Sequence, residues 1–262
     1  MPEGDTIHKI ANYLAPRLQG QRIESIQMAA PSPAAEGRKV LRVMARGKHL
    51  FFDLDDGTSL RSHLGMYGSW HRYPPGADWK KPRHRASLIM RISGDDYVCF
   101  NAKEVELIQS PSVRHSVAHA RLGPDLIADA PDVTDLAKRA RDILDDDTLL
   151  ADVLLDQRVA SGIGNVYKSE VLFIERLGPE LRLAEVSEDE LQRCFTTAAD
   201  RLRRNLGGGN RVTRLEKDRA GRLWVYNRRG KPCLRCDTPI RYARLGKHHR
   251  GTYWCPNCQS RL

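Results

Sequence analysis

The sequence opens with Met1-Pro2-Glu3-Gly4-Asp5-Thr6, which runs directly into an apolar-periodic segment. We expect Met1 to be removed before the small residue Pro2, which would then carry a free secondary amine. An α-amino group titrates near ~7.7–8.0, so a usable fraction is neutral at physiological pH and can act as a nucleophile. Glu3 can move protons beside it, and the positive end of the following helix favours a neutral amine and an ionised carboxylate. The alternative for this stretch is an idle, frayed terminus.

A helix and then a sheet region follow this opening. Pro16 is predicted to end or bend the helix, and Gly20 to close it. From Arg22 to Phe100, short alternating or apolar runs separated by turn residues predict a β-sandwich behind the leading helix. Helical spacing relates Ile7, Ile10, Ala11, Leu14 and Leu18, and the predicted strands cover 23–28, 40–45, 50–54, 60–64, 88–92 and 97–100.

Two turns in the sheet region carry side chains of interest. Lys48 follows Gly47 between two predicted strands, so it projects from a turn either as a solvated lysine or as a functional one. Met66 and Tyr67 lie in a glycine-flanked loop. Apolar side chains on such a loop can wedge into a stack of nucleic-acid bases, and packing in the protein core is the alternative.

The pattern turns helical after an acidic segment, 124–147, that holds eight Asp. The sequence therefore predicts a second, helical domain. Between its first two helices, Ser161-Gly162-Ile163-Gly164-Asn165 forms a glycine turn that opens a helix. Its backbone amides and the Asn165 side chain suit a phosphate oxygen, and a plain helical-hairpin turn is the alternative.

Composition and charge limit the class of protein. The chain has 262 residues, 40% of them hydrophobic, and a net charge of +10. We find no apolar run long enough for a membrane span and no secretory signal, so we expect a cytoplasmic, nucleoid-associated protein without a membrane partner. Residues 219–262 hold eleven Lys or Arg against one Asp. A basic module of this kind indicates a polyanion partner, most simply nucleic acid, although a solvated basic surface is the bland alternative.

Four of the six cysteines form two Cys-x-x-Cys pairs separated by eighteen residues. This spacing predicts one structural zinc ion held in a β-hairpin, since four thiolates leave no open position for water. Cys99 and Cys194 stand apart and are expected to be buried or inert thiols. The predicted zinc ligands are Cys233, Cys236, Cys255 and Cys258.

Five segments together resemble the formamidopyrimidine-DNA glycosylase and endonuclease VIII family over nearly the whole chain: MPEGDTI, RGKHL, SHLGMYG, LLDQRVASGIGNVYKSE and HRGTYWCPNCQ. The resemblance implies an α+β multidomain DNA repair enzyme that binds damaged double-stranded DNA, and single-stranded or bubble DNA as a further possibility. We expect a monomer. The expected parts are an N-terminal β-sandwich with a flanking helix (1–122), an acidic linker (123–147), a helix–two-turn–helix domain (148–218) and a C-terminal zinc-finger β-hairpin (219–262).

The resemblance also implies roles for individual residues. Pro2 corresponds to the family's nucleophile, Glu3 to its neighbouring acid and Lys48 to its β-hairpin lysine. Asn165 corresponds to the phosphate-binding asparagine and Arg250 to the zinc-finger arginine. The expected DNA-contacting residues further include Arg121, Lys168, Met66 and Tyr67.

Within the family, the opening MPEGDT looks like the endonuclease VIII branch, which removes oxidised pyrimidines. The segment 101–105 lacks the Arg and Phe of the 8-oxoguanine branch. Two departures are Thr6, where many members have a second glutamate, and Gly65, where this branch has a glutamine; Met66 is closer to the purine branch. An 8-oxoguanine enzyme is therefore one alternative. A non-catalytic, zinc-dependent DNA-binding protein is the other, if Met1 is retained and blocks Pro2.

The resemblance implies a base excision repair mechanism with a covalent Schiff-base intermediate. Pro2 attacks C1′ as the damaged base departs, and the resulting iminium acidifies the C2′ proton, so that β- and then δ-elimination expel the two phosphates. Glu3 shuttles protons at the sugar. Lys48 neutralises or protonates near the departing base and in the first elimination. Arg250 stabilises the phosphate that is lost in the second elimination.

Overall fold

The computed structural model of the chain describes residues 1–28, 35–108, 122–216, 218 and 220–260. It divides into two compact units, Met1–Arg121 and Leu122–Leu262. Within the described ranges, no helix is both long enough and apolar enough to cross a bilayer.

The first unit consists of one helix and two four-stranded antiparallel sheets. Its elements are α1 (Gly4–Leu18), β1 (Ser25–Met28), β2 (Val40–Arg46), β3 (His49–Leu54), β4 (Ser59–His63), β5 (Ser69–Tyr73), β6 (Ala86–Ile92), β7 (Asp95–Phe100) and β8 (Glu104–Ile108). One sheet has the order β1-β6-β7-β5 and the other the order β2-β3-β4-β8. This arrangement confirms the predicted β-sandwich with a leading helix.

Helix α1 packs onto β2 and β3 through the stripe that its sequence predicts. Its apolar side chains join those of both sheets in one buried core, including Ile7, Leu14, Leu50, Phe52, Leu88 and Met90. Pro16 does not end the helix, which continues to Leu18. Because Pro16 lies in the last turn, its missing N–H removes a single hydrogen bond, and Gln19 N still donates to Ala15 O at 3.0 Å. Gly20 follows at φ +83° and closes the turn.

The second unit contains helices α2 (Val133–Ile143), α3 (Leu150–Val153), α4 (Asn165–Ile174) and α5 (Glu188–Arg204), followed by strands β9 (Arg241–Leu245) and β10 (Arg250–Trp254). Helix α5 packs against α2 and α4, and α4 packs against α3 and β10. The helical domain and the β-hairpin that the sequence predicts therefore lie in one compact unit. The core of the helical domain includes Leu136, Leu150, Tyr167, Val171, Leu191 and Phe195.

The segment 123–147 is not a linker. It contains α2, whose Leu136, Ala137 and Ala140 are buried in the helical core, whereas Asp135 and Lys138 are exposed. Only some of its aspartates belong to this helix: Asp132 caps its start by accepting a hydrogen bond from Thr134 N at 2.8 Å, and Asp135 and Asp142 lie on its exposed side. Asp125, by contrast, is buried before the helix and accepts from Ile127 N at 2.7 Å. A high density of acidic residues thus concealed an amphipathic pattern.

Helix α4 organises the chain that leads to the hairpin. The fully buried Glu170 carboxylate accepts hydrogen bonds from the backbone N–H groups of Trp224 at 2.7 Å, Val225 at 2.9 Å and Tyr226 at 2.8 Å, and from the Thr213 hydroxyl. Burial raises the pKa of the Glu170 carboxyl, and these donors oppose that shift. Glu170 of helix α4 therefore binds the segment 224–226, which precedes the hairpin in the chain.

Candidate functional site

Glu3 is buried at the start of α1, directly after the half-buried Pro2. Its carbonyl accepts hydrogen bonds from Thr6 N at 2.9 Å and Ile7 N at 3.2 Å, so Glu3 is the N-cap of the helix. Its N–H donates to Thr6 Oγ1 at 3.4 Å, and that hydroxyl donates to the Asp5 carboxylate at 3.3 Å. Thr6 thus supplies the side-chain cap that a glutamate supplies in the usual capping box. These contacts fix Glu3 at the start of the helix, directly after Pro2.

Lys48 lies in the turn between β2 and β3, as predicted. The last pair of the hairpin is Arg46 with His49, so Gly47 and Lys48 alone form the loop. Gly47 has φ +56°, a conformation that glycine adopts without strain. Lys48 is half-buried there, and α1 packs on both strands that carry it. The structure therefore places Pro2, Glu3 and Lys48 on elements that contact one another.

A polar cluster beside Lys48 is absent from the sequence predictions. The rings of His49 and His63 lie 4.7 Å apart on neighbouring strands. Arg61 Nη1 is 2.8 Å from His49 Nδ1, and Arg61 Nη2 donates to Glu104 at 2.8 Å and to Glu106. The register of β3, β4 and β8 brings these residues together, because His49 pairs with His63 and His63 with Glu104.

Burial keeps both histidines neutral at physiological pH. It lowers the pKa of His49 to about 3, with His63 and Arg61 adding to the shift, and it lowers the pKa of His63 to about 4. Burial alone would raise the pKa of Glu104, but hydrogen bonds from Arg61 and Lys103 outweigh it and lower that pKa to about 2. The charges around Lys48 at neutral pH are therefore those of arginine, lysine and carboxylates.

These pKa values predict a pH-dependent stability. Between pH 6.5, the ordinary pKa of His49, and its folded value of about 3, the unfolded chain binds more protons than the folded one. The contribution of His49 to the free energy of unfolding is therefore complete above pH 6.5 and is lost as the pH falls. We expect His49→Gln to recover up to about 2 kcal/mol of the loss between pH 7 and roughly 4.5, allowing for partial exposure. Urea unfolding at both pH values measures this, with the exposed His84→Gln as the matched control. Equal pH dependence in wild type and His49→Gln would contradict the prediction.

Met66 and Tyr67 lie between β4 and β5 and are not core residues. Met66 is 48% exposed and Tyr67 is 77% exposed. Gly65 has φ +61°, and a Cβ on Gly68 would lie 2.4 Å from Leu64 O, so both glycines are required by the tight turn. The core-packing alternative is therefore wrong, and the wedge role stays a prediction.

The second unit brings Asn165 next to Arg250. Asn165 is the first residue of α4, and its Nδ2 donates to Gly251 O at 2.5 Å. Arg250 begins β10 and has an exposed side chain. The hairpin loop before it is held by Asp152, whose carboxylate accepts from Lys247 N at 2.7 Å.

Lys168 does not meet the expectation of a DNA-contacting lysine. Its side chain is fully buried, and Nζ donates to Asn165 Oδ1 and Thr252 Oγ1 at 2.7 Å each. Arg121, the other predicted contact of this kind, lies outside the described residues.

The four predicted cysteine ligands form one cluster. Their sulfur atoms all lie within 4.8 Å of one another, with Cys236 Sγ 3.5 Å from Cys255 Sγ and Cys233 Sγ 3.8 Å from Cys258 Sγ. Four thiolates about 2.3 Å from a tetrahedral zinc ion are separated by about 3.8 Å, so the cluster fits one zinc. Arg235 N and Cys258 N each approach a ligand sulfur at 3.4 Å. The cysteines form a structural zinc site, and Cys99 and Cys194 are buried and are not members of the cluster.

Three protein-family models match the chain. They are the formamidopyrimidine-DNA glycosylase N-terminal domain over residues 1–108, the formamidopyrimidine-DNA glycosylase H2TH domain over 122–216, and a zinc finger found in FPG and IleRS over 230–261. These matches cover the sandwich, the helical part and the cysteine hairpin in turn.

Full-length relatives agree with these matches. Endonuclease 8 2 of Mycobacterium tuberculosis is 38% identical and covers 99% of this chain and 100% of its own. DNA-(apurinic or apyrimidinic site) lyase Nei2 of Mycolicibacterium smegmatis is 35% identical, covering 99% of each chain. Formamidopyrimidine-DNA glycosylase of Methylococcus capsulatus is 30% identical, covering 99% of this chain and 100% of its own.

Solved structures share the fold. Lactococcus lactis Fpg bound non-covalently to DNA with an AP site matches with a TM-score of 0.82 at 23% identity, over 99% of this chain and 100% of that one. Its complex with DNA containing an abasic site matches with a TM-score of 0.83 at 23% identity and the same coverage. With relatives of 35–38% identity over the full length, the chain belongs to the formamidopyrimidine-DNA glycosylase and endonuclease VIII family, whose members are DNA repair glycosylases and abasic-site lyases.

Proposed function

We propose that this protein is a bifunctional DNA glycosylase and AP lyase that removes oxidised pyrimidines through a covalent intermediate on Pro2. The observation that carries the proposal is the buried Glu3 carboxylate at the N-terminus of α1, directly after Pro2. Met1 is 41% exposed and so accessible to an aminopeptidase. Its removal leaves the Pro2 amine beside an acid that can move protons. The amine also lies at the positive end of a helix, and this helix end favours the neutral, nucleophilic amine.

The chemistry begins with base loss and ends with strand scission. The Pro2 nitrogen forms a bond to C1′, the bond from C1′ to the base breaks, and the base leaves with a proton. Opening of the sugar gives an iminium ion, which acidifies the C2′ proton, and loss of that proton expels the 3′ phosphate. Loss of the C4′ proton from the resulting unsaturated iminium then expels the 5′ phosphate. We assign proton transfer at the sugar to Glu3. Water finally hydrolyses the iminium ion, which releases the unsaturated sugar fragment as an aldehyde and frees Pro2.

The cationic residues have different roles in this proposal. Lys48 is presented by a two-residue turn and assists base departure and the first elimination. Asn165 binds a phosphate oxygen through the N–H of its amide that does not donate to Gly251. Arg250, on the zinc-stabilised hairpin, stabilises the phosphate expelled in the second elimination. Met66 and Tyr67 fill the space left by the everted base. Such a protein acts on DNA in the bacterial nucleoid.

Two observations support the pyrimidine preference. Relatives named endonuclease 8 2 or Nei2 are 35–38% identical to the chain, whereas the relatives named endonuclease 8 1 and formamidopyrimidine-DNA glycosylase are both 30% identical. The turn between β7 and β8 is short and contains no arginine or phenylalanine. The test is single-turnover base release from matched duplexes that carry 5-hydroxyuracil or 8-oxoguanine. Faster release of 8-oxoguanine would reject the assignment, and release of neither base would reject the glycosylase.

Arg250→Ala is expected to change the product as well as the rate. If Arg250 stabilises the phosphate lost in δ-elimination, its removal makes β-elimination product accumulate, and the δ-to-β ratio falls by at least about tenfold. A gel that resolves the two 3′ ends at saturating enzyme measures the ratio without interference from affinity. Arg244→Ala, an exposed arginine on β9, is the matched control and keeps the wild-type ratio. An unchanged ratio for Arg250→Ala would make Arg250 an ordinary phosphate contact.

A further inference from the structure

Helix α4 lies along the outer edge of strand β10. On its other side β10 pairs with β9. Side chains of α4 make hydrogen bonds with backbone groups on the open edge of β10. Asn165 Nδ2 donates to Gly251 O, and Ser169 Oγ accepts from Tyr253 N at 3.5 Å. Backbone groups at a strand edge need such partners. The helix therefore completes the edge of the hairpin that carries Arg250.

Lys168 lies at the centre of this contact. Its Nζ donates to Asn165 Oδ1 at 2.7 Å, to Thr252 Oγ1 at 2.7 Å and to Gly251 O at 3.4 Å. An ammonium group has three N–H donors, and each of these oxygens can accept one. Both Lys168 and Thr252 are 0% exposed. Because a buried ammonium is costly unless its donors are satisfied, the three oxygens are held at fixed positions around Nζ.

The first consequence is a single orientation for the Asn165 amide. Oδ1 faces the Lys168 ammonium, and Nδ2 faces the Gly251 carbonyl. A flipped amide would place its N–H groups against the ammonium and its oxygen against the carbonyl, losing both hydrogen bonds. Lys168 thus determines where the second Nδ2 proton points, and this is the proton that the proposed function assigns to a phosphate.

The second consequence is a direct link to Arg250. The Thr252 hydroxyl accepts from Lys168 and donates to the Arg250 carbonyl at 3.1 Å. Lys168 is therefore connected through one hydroxyl to the backbone of the arginine, and through Gly251 O to the next peptide. Linked hydrogen bonds of this kind polarise one another and hold a local geometry more firmly than separate ones.

We propose that Lys168 is a positioning residue, which holds the Asn165 amide and the Arg250 backbone in place for phosphate binding and makes no phosphate contact itself. This inference rests on the proposed function. It replaces the expectation that Lys168 binds DNA, and it assigns to one buried lysine the alignment of two phosphate-binding groups.

The first test compares reaction products. Lys168→Met removes the donors with little change of volume, and we expect the δ-to-β ratio under saturating, single-turnover conditions to fall at least about fivefold, in the direction of Arg250→Ala. A merely structural lysine would lower the rates of both steps together. An unchanged ratio in folded, zinc-loaded Lys168→Met would overturn the proposal.

The second test uses the salt dependence of binding to an uncleavable duplex that contains a tetrahydrofuran abasic analogue. A lysine or arginine that neutralises a phosphate contributes about 0.9 to the slope of log K against log salt. We expect Lys168→Met to keep the wild-type slope, and Arg250→Ala, which removes a proposed phosphate contact, to reduce the magnitude of the slope. A slope lowered by about 0.9 in Lys168→Met would overturn the proposal. This test needs binding but no elimination. It therefore still tests the role of Lys168 in the case where wild type forms no product and the proposed function fails.

Lys168→Met could fail to fold, and zinc content and circular dichroism detect such a failure. A second variant tests the proposal in that case. Thr252→Val keeps Lys168 and the side-chain shape but breaks the link to the Arg250 carbonyl. We expect its δ-to-β ratio to fall in the same direction by about twofold or more, with one zinc still bound. A wild-type ratio in Thr252→Val would contradict the role of the hydrogen-bonded link and overturn the proposal.

Discussion

Pro2→Leu is expected to abolish both base release and strand cleavage, lowering the single-turnover rate by at least about 1000-fold. A bulky second residue prevents removal of Met1, so the amine moves one residue away from Glu3 and the attack on C1′ is lost. DNA binding should remain close to wild type, because the phosphate-binding candidates lie on other elements. Single-turnover kinetics and a binding titration on the same duplex measure the two effects separately.

Two matched variants separate the nucleophile from the acid. Pro2→Gly still permits removal of Met1 and offers a primary amine at the same place, so part of the activity should return. Glu3→Gln should slow base release steeply and cleavage of a preformed abasic site less, since the latter needs no base departure. Full activity in Pro2→Leu would show that the amine of Pro2 is not required. Equal losses on both substrates in Glu3→Gln would remove Glu3 from base release.

Cys233→Ser is expected to unfold the hairpin and lower activity by at least about 100-fold, because it removes a zinc ligand. Binding energy at such sites is folding energy, on the order of 10–16 kcal/mol in model fingers. The apolar cluster at the hairpin is small, with Trp224, Ile240 and the buried cysteines packed together with Phe173 of α4, and we expect that it does not replace the metal. The helices should keep their fold, since their core is a separate cluster. Metal analysis, circular dichroism and the cleavage assay measure the three consequences.

Cys194→Ala is the control for this experiment. Cys194 is buried in the helical core and is not a member of the metal cluster, so the variant should retain one zinc per chain and most of its activity. A wild-type protein without metal that is fully active would contradict the account of the hairpin, and so would a fully active Cys233→Ser.

Local patterns were sufficient to predict much of the fold. The apolar stripe of α1, the turn at Gly47 and the spacing of the four cysteines each depend on residues close together in the chain. Strands β5 and β8 were missed for two different reasons. In β5, Tyr73 packs with Trp79 and Phe100 in a satellite cluster outside the main core, so its side chains show no simple alternation. In β8, the two glutamates are satisfied by Arg61 of β4, a partner that is distant in sequence.

In the candidate site, too, features defined by neighbouring residues could be predicted, whereas those that depend on partners distant in sequence could not. Pro2, Glu3 and Lys48 could be proposed from the chain terminus, a turn and a family resemblance, because each occupies a position that a motif defines. Lys168 could not be placed in this way. A lysine within an isolated helix is normally expected to face solvent, and only the contact with Gly251 and Thr252, more than eighty residues later, buries it. The cluster of His49, Arg61 and Glu104 likewise depends on strand register.

The most direct test of the central claim is the identity of the residue that bonds to DNA. Borohydride reduces the iminium intermediate to a stable amine, so the enzyme can be trapped on a lesion-bearing duplex, digested, and sequenced by mass spectrometry. We predict a single adduct on the nitrogen of Pro2 in a chain that lacks Met1. An adduct on a lysine such as Lys48, or on a chain that retains Met1, would contradict the assignment of Pro2 as the nucleophile.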